Sequence, residues 1–90
     1  ARAFFERALR MFEQQRYREA LGALLAARRL VPSPEIDYNL AVTSEKLGLG
    51  SDAIDYYRVY LLTVREPEER KFVKKKIRQL KGLKGTARGR

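Results

Sequence analysis

The side chains that most often perform chemistry are missing from this sequence, which contains no His and no Cys. Nucleophilic catalysis needs a nucleophile and a base to activate it, usually His. Ser33, Ser44 and Ser51 therefore read as helix caps or helix-surface positions. Three carboxylates, Glu66, Glu68 and Glu69, bracket Pro67. A Ca²⁺ site would need about six or more converging oxygens, so these acids are better placed against the positive end of a helix dipole. Gly48-x-Gly50 and Gly82-x-x-Gly85-Thr86 lack the strand–loop–helix context of a phosphate loop, and the second also lacks its lysine. These residue types imply no active site, no cofactor and no metal, and the chain is expected not to be an enzyme.

Charge is the chemical property that does stand out. Ahead of Arg70, ten basic residues face all eleven acids, whereas from Arg70 to Arg90 there are ten basic residues and no acid. The net charge of +9 thus belongs to the C-terminal fifth of the chain. A clustered positive charge attracts nucleic acid, anionic lipid or an acidic partner.

The elements that must position these groups follow from hydrophobic spacing. Apolar residues recur at helical intervals nearly everywhere, and no stretch alternates as a half-buried strand would. Punctuation at Gln14-Gln15-Arg16, Val31-Pro32-Ser33-Pro34, Gly48-Leu49-Gly50-Ser51 and Glu66-Pro67 divides the chain into five helices, near 2–14, 17–30, 34–47, 51–65 and 67–81. Ser33 and Ser51 are the expected N-caps, Pro34 and Pro67 suit a first helical position, and Gly82 should stop the last helix. Residues 82–90 are expected to form a flexible basic tail. With 44% hydrophobic residues in 90, the composition is that of one small folded domain. Its longest uncharged apolar run, 20–27, is far short of the ~20 residues of a membrane span. The chain is thus expected to be soluble, with the cytoplasm favoured over the periplasm. Its start, Ala1-Arg2, has no initiator Met and no signal-peptide layout, as in a piece of a longer chain.

A repeat is present. Tyr17-Arg18-Glu19-Ala20-Leu21 with Leu24, Ala27, Leu30 and Pro32 precedes Ser51-Asp52-Ala53-Ile54 with Tyr57, Tyr60 and Thr63, and Ala20 and Ala53 are 33 residues apart. Ahead of them stand Phe4-Phe5-x-x-Ala8-Leu9-x-Met11-Phe12 and Tyr38-Asn39-Leu40-Ala41. A period near ~34 residues with small residues at these positions resembles the tetratricopeptide repeat. The resemblance implies an all-α solenoid of two antiparallel helix–turn–helix repeats, about 1–33 and 34–66, with a fifth, capping helix over 67–81. Departures from the pattern are Arg7 for a leucine, Ser44 for an aromatic, Tyr60 at a usually small position and Arg65 for the second proline.

The resemblance also implies a function: a non-catalytic protein–protein interaction module whose concave groove holds a peptide or helix of a partner. Arg2, Phe5, Glu6, Leu9, Phe12 and Glu13 from the first unit, and Tyr38, Asn39, Val42, Glu45 and Lys46 from the second, would line that groove. Phe4, Ala8 and Met11 suffice to pack the first helix on its hairpin partner. Phe5, Leu9 and Phe12 are then a second apolar stripe with two open readings: core against another repeat, the last helix or a weak homodimer partner, or an anchor site for a bound segment. Some family members grip a C-terminal carboxylate with Lys, Asn and Arg. Only Asn39 sits at such a position, so carboxylate capture is not expected.

The last helix has two faces. Phe72, Val73, Ile77 and Leu80 should cover the fourth helix, leaving a basic surface of Lys71, Lys74, Lys75, Lys76, Arg78 and Lys81. That surface is either a solubilising cap or, in the alternative functional reading, the face of a basic accessory domain docking on nucleic acid or an anionic membrane. With no aromatic residue after Phe72, any nucleic-acid contact would be weak, non-specific and to phosphate alone.

Overall fold

A computed structural model of the chain describes the backbone of residues 2–88 and the side chains of residues 3–82. Among these it has five helices and no strand: α1 (Arg2–Glu13), α2 (Tyr17–Leu30), α3 (Pro34–Lys46), α4 (Gly50–Leu61) and α5 (Pro67–Arg88).

Local chemistry explains most of the boundaries. The Ser33 hydroxyl accepts from the Ile36 amide at 3.2 Å, and Pro34 follows at the first helical position, where its missing N–H costs nothing. Before α5 the Glu66 carboxylate accepts from the Glu69 amide at 2.7 Å, a cap that the sequence does not advertise because Glu is a poor N-cap. α1 ends with Gln15 in the left-handed region (φ 62°), while the Arg16 amide reaches back to the Met11 carbonyl at 2.8 Å. Gly48 (φ 76°) does the same after α3, with the Leu49 amide bonded to the Ser44 carbonyl at 2.9 Å. Both are the glycine-type stop in which a left-handed residue lets the next amide satisfy a free carbonyl.

Three boundaries differ from the sequence expectation. The left-handed step at Gly48 turns the chain so sharply that α4 already begins at Gly50, with Leu49 as its N-cap residue, and Ser51 lies inside the helix. α4 ends at Leu61 rather than near residue 65, because the Arg70 guanidinium takes the Leu61 and Val64 carbonyls at 2.7 and 2.9 Å in place of backbone amides. α5 does not stop at Gly82 but continues through Gly82 and Gly85 to Arg88; a helical glycine costs only about 1 kcal/mol.

Consecutive helices pack on each other, α1 on α2, α2 on α3, α3 on α4 and α4 on α5. The interior has two clusters. Ala8, Leu24, Ala27, Ile36 and Leu40 join α1, α2 and α3, and Ala41, Ala53, Ile54, Tyr57, Val73, Ile77 and Leu80 join α3, α4 and α5. The half-buried Tyr56 touches both. The small and large residues at the 33-residue spacing sit in these clusters or fully buried beside them: Ala8, Ala20, Ala41 and Ala53 are at most 1% exposed, and Leu24 and Tyr57 at most 2%. Small buried side chains let helix backbones approach, so a larger one there must force them apart. Ala8→Leu or Ala20→Leu is expected to destabilise the fold by roughly 1–3 kcal/mol through overpacking. Thermal unfolding checks this, and melting temperatures unchanged in both variants would remove the close approach from the account.

Candidate partner-binding groove and basic face

The residues expected to bind a partner have different local surroundings. On α1 the packing face centres on Ala8. At 100° per residue, Phe5 and Phe12 lie about 60° and 40° to one side of it, whereas Leu9 lies about 100° away. Phe5 accordingly packs on the first core cluster, and Phe12 meets Tyr17 edge-on, with ring centroids 5.1 Å apart. Leu9 remains 37% exposed. Phe4, expected to face the hairpin partner, is instead on the surface with the Arg7 guanidinium 5.7 Å from its ring centre. Phe4 and Phe5 flank Ala8 almost equally, and α2 supplies Leu21, Ala23 and Leu25 beside the Phe5 cluster. The apolar stripe is thus divided: Phe5 and Phe12 pack within the chain, and Leu9 is the more exposed of the three.

Residues of α3, α4 and α5 do come together around one depression. Tyr38, Val42, Glu45 and Lys46 of α3, Tyr57 of α4 and Lys76 of α5 line an open depression of about 400 Å³. At its floor the Tyr57 hydroxyl donates to Glu45 Oε2, and the Lys76 ammonium donates to Glu45 Oε1 at 3.1 Å. The Tyr38 ring meets Tyr57 edge-on at 6.0 Å and Tyr60 at 5.2 Å, and the Tyr60 hydroxyl donates to Glu69 Oε2 at 3.1 Å. Burial and the Glu45 carboxylate together hold the Tyr57 phenol far above its ordinary pKa. Tyr60 is raised by burial and by Glu69, and Tyr38 by burial and the same carboxylates, with Lys76 acting in the opposite sense. All three are neutral donors near neutrality. Asn39 is not part of the lining: its amide nitrogen donates to the Glu35 carbonyl at 2.9 Å, along its own helix.

Lys76 and Tyr57 were not legible as groove residues for different reasons. Lys76 sits three residues after Val73 and four before Leu80, on the buried side of α5, so its spacing carried a signal that its charge obscured. Tyr57 occupies the core position that Leu24 holds in the first unit, and only its hydroxyl, which must find an acceptor when buried, points to a polar neighbour. The other expected basic residues, Lys71, Lys74, Lys75, Arg78 and Lys81, are all exposed. Beside the first two, Arg65, Pro67 and Arg70 complete a shallow depression of about 330 Å³.

Compared with protein-family models, with curated proteins and with solved structures, the chain matches none. Among the described residues no helix is long and apolar enough to cross a membrane.

The buried Tyr57–Glu45 bond gives a pH prediction. A hydrogen bond to a charged group contributes about 1.5–3 kcal/mol, so Tyr57→Phe should lose about that much stability at pH 7. The folded-state phenol stays protonated where the unfolded one ionises, so its contribution is complete below pH ~10 and falls above it by about 1.4 kcal/mol per pH unit. Chemical denaturation of both proteins from pH 7 to 11 should show the gap narrowing above pH ~10. A gap that is constant across this range would place the phenol in water.

Proposed function

We propose that this chain is a non-catalytic protein–protein interaction module, a tetratricopeptide-like array of two helical repeats closed by α5, that holds a peptide or helix of a partner protein in its concave groove. The observation that carries the reading is the depression around Tyr38, Val42 and Glu45. It brings two aromatic rings and a valine together with three charged side chains, a mixed lining that can take both apolar and ionic groups of a bound segment. Tyr57, Glu45 and Lys76 pair with one another, so they orient the walls, and Lys46 stands beside them on the rim. Burial of the repeated alanines and of Leu24 and Tyr57 supports the repeat register from which the groove was inferred.

Tyr38 and Lys46 divide the work in this scheme. Tyr38 offers a large ring stiffened by contacts with Tyr57 and Tyr60, and such aromatics are the usual anchors of an interface. Lys46, exposed on the rim, attracts an acidic group on the bound segment. A displayed peptide library panned against the whole chain tests this. Selected peptides should lose at least about 2 kcal/mol of affinity to Tyr38→Ala, as for a hot-spot residue. Lys46→Gln, which touches neither core cluster, should weaken acidic peptides and lower stability by no more than about 1 kcal/mol, the contribution of a cation in the last turn of a helix. Peptides insensitive to both variants would bind elsewhere and remove the groove as the functional surface.

A further inference from the structure

α5 presents a second surface that the groove does not use. Taking 100° and 1.5 Å per residue, Lys71, Lys74, Lys75, Arg78 and Lys81 fall within a roughly 120° arc and about 15 Å of helix axis. The arc faces away from Val73 and Leu80, which with Ile77 beside the arc are buried in the cluster shared with α4. All five cations are exposed, and none makes an ion pair with a described residue, whereas Arg16, Arg28 and Lys76 are each matched by a carboxylate at 2.6–3.3 Å. At the N-terminal end of the arc, Arg65 and Arg70 extend the positive surface into the depression beside Lys71 and Lys74. Arg70 is held there by its bonds to the Leu61 and Val64 carbonyls, so its charge is fixed in place.

We infer that this face is a docking surface for the phosphate backbone of duplex nucleic acid, bound without regard to sequence. Charge complementarity selects the class of partner. A duplex carries one negative charge per about 1.7 Å of axis, a rigid row of anions that a straight row of cations can follow. A membrane surface fits less well, because the apolar side of α5 is already spent on the core and cannot enter the lipid boundary. Nor does the arc contain the apolar or aromatic anchors that centre most protein interfaces. Phe72, 46% exposed, is the only exposed aromatic among the described residues of α5 and lies off the arc, so the interleaved stacking platform of single-strand binders is absent there.

The test uses the whole chain and two fluorescein-labelled 20-base-pair duplexes of unrelated sequence, titrated by anisotropy between 20 and 200 mM salt. Both should bind alike, with a log–log salt slope between about −2.7 and −4.5, as −0.9 per phosphate predicts for three to five contacts. Replacing Lys71, Lys74, Lys75 and Arg78 together with Gln should weaken binding at 20 mM salt at least tenfold and make the slope shallower by about 2.7 to 3.6. The pair Lys74→Gln and Arg78→Gln should give about half that change, which provides the same reading should the quadruple variant fold poorly. Arg18→Gln, which removes an exposed cation of α2 outside the arc, should leave the slope unchanged. The inference is overturned if both arc variants bind as the parent does, or if Arg18→Gln changes the slope as much as they do. It is equally overturned if phosphatidylserine vesicles or poly-glutamate bind the chain more tightly than the duplexes at equal anion concentration.

Discussion

Burying a tyrosine at the meeting point of three helices is the constraint on which the rest of this structure depends. Tyr57 is the largest fully enclosed side chain, and its ring belongs to the cluster joining α3, α4 and α5. Its hydroxyl enters that cluster too and would cost a few kcal/mol if left without a partner. Glu45 supplies the acceptor, but a half-buried carboxylate needs a positive charge, and Lys76 brings one from α5. One buried ring thus requires an acid on α3 and a cation on α5. The last helix is in this sense a structural member whose docking completes the core.

That arrangement divides the charges of α5 by role. Among the described residues, Lys76 on its inner side is neutralised by Glu45 and lines the depression, while the four lysines and Arg78 on the outer side keep their field. The chain therefore carries two surfaces of different chemistry: an aromatic and mixed-charge depression over α3, and a uniformly positive face on α5. The Tyr57 ring and the aliphatic residues of α5 lie between them, so a change in one surface need not alter the other.

The parts of this structure legible in the sequence are those fixed by local chemistry or by spacing. Ser33-Pro34 and Pro67 announce helix starts through a hydroxyl cap and a fixed backbone angle, and the alanines 33 residues apart announce where helices touch. What escaped depends on distant partners. The end of α4 is set by a guanidinium nine residues beyond Leu61, and the orientation of Lys76 by an acid 31 residues before it. Phe4 and Phe5 stand at similar angles from Ala8, so only the side chains offered by α2 decide which is covered. The misplaced start of α4 has another source: Ser51 is a good cap by type, but the left-handed turn at Gly48 starts the helix before reaching it. Of the candidate site, Tyr38, Val42 and Glu45 could be found from their helix positions, whereas the closed set that holds them could not.

The central claim, that α5 folds as one unit with α3 and α4 through Tyr57, is tested most directly by native-state hydrogen exchange of the intact chain. The account predicts that the amides of Ala41, Tyr57 and Ile77 open together, with protection factors agreeing within about tenfold and falling in parallel as denaturant is added. Strong protection at Tyr57 with little or none at Ile77 would contradict it, because α5 would then be leaving the core without disturbing the ring that is supposed to require it.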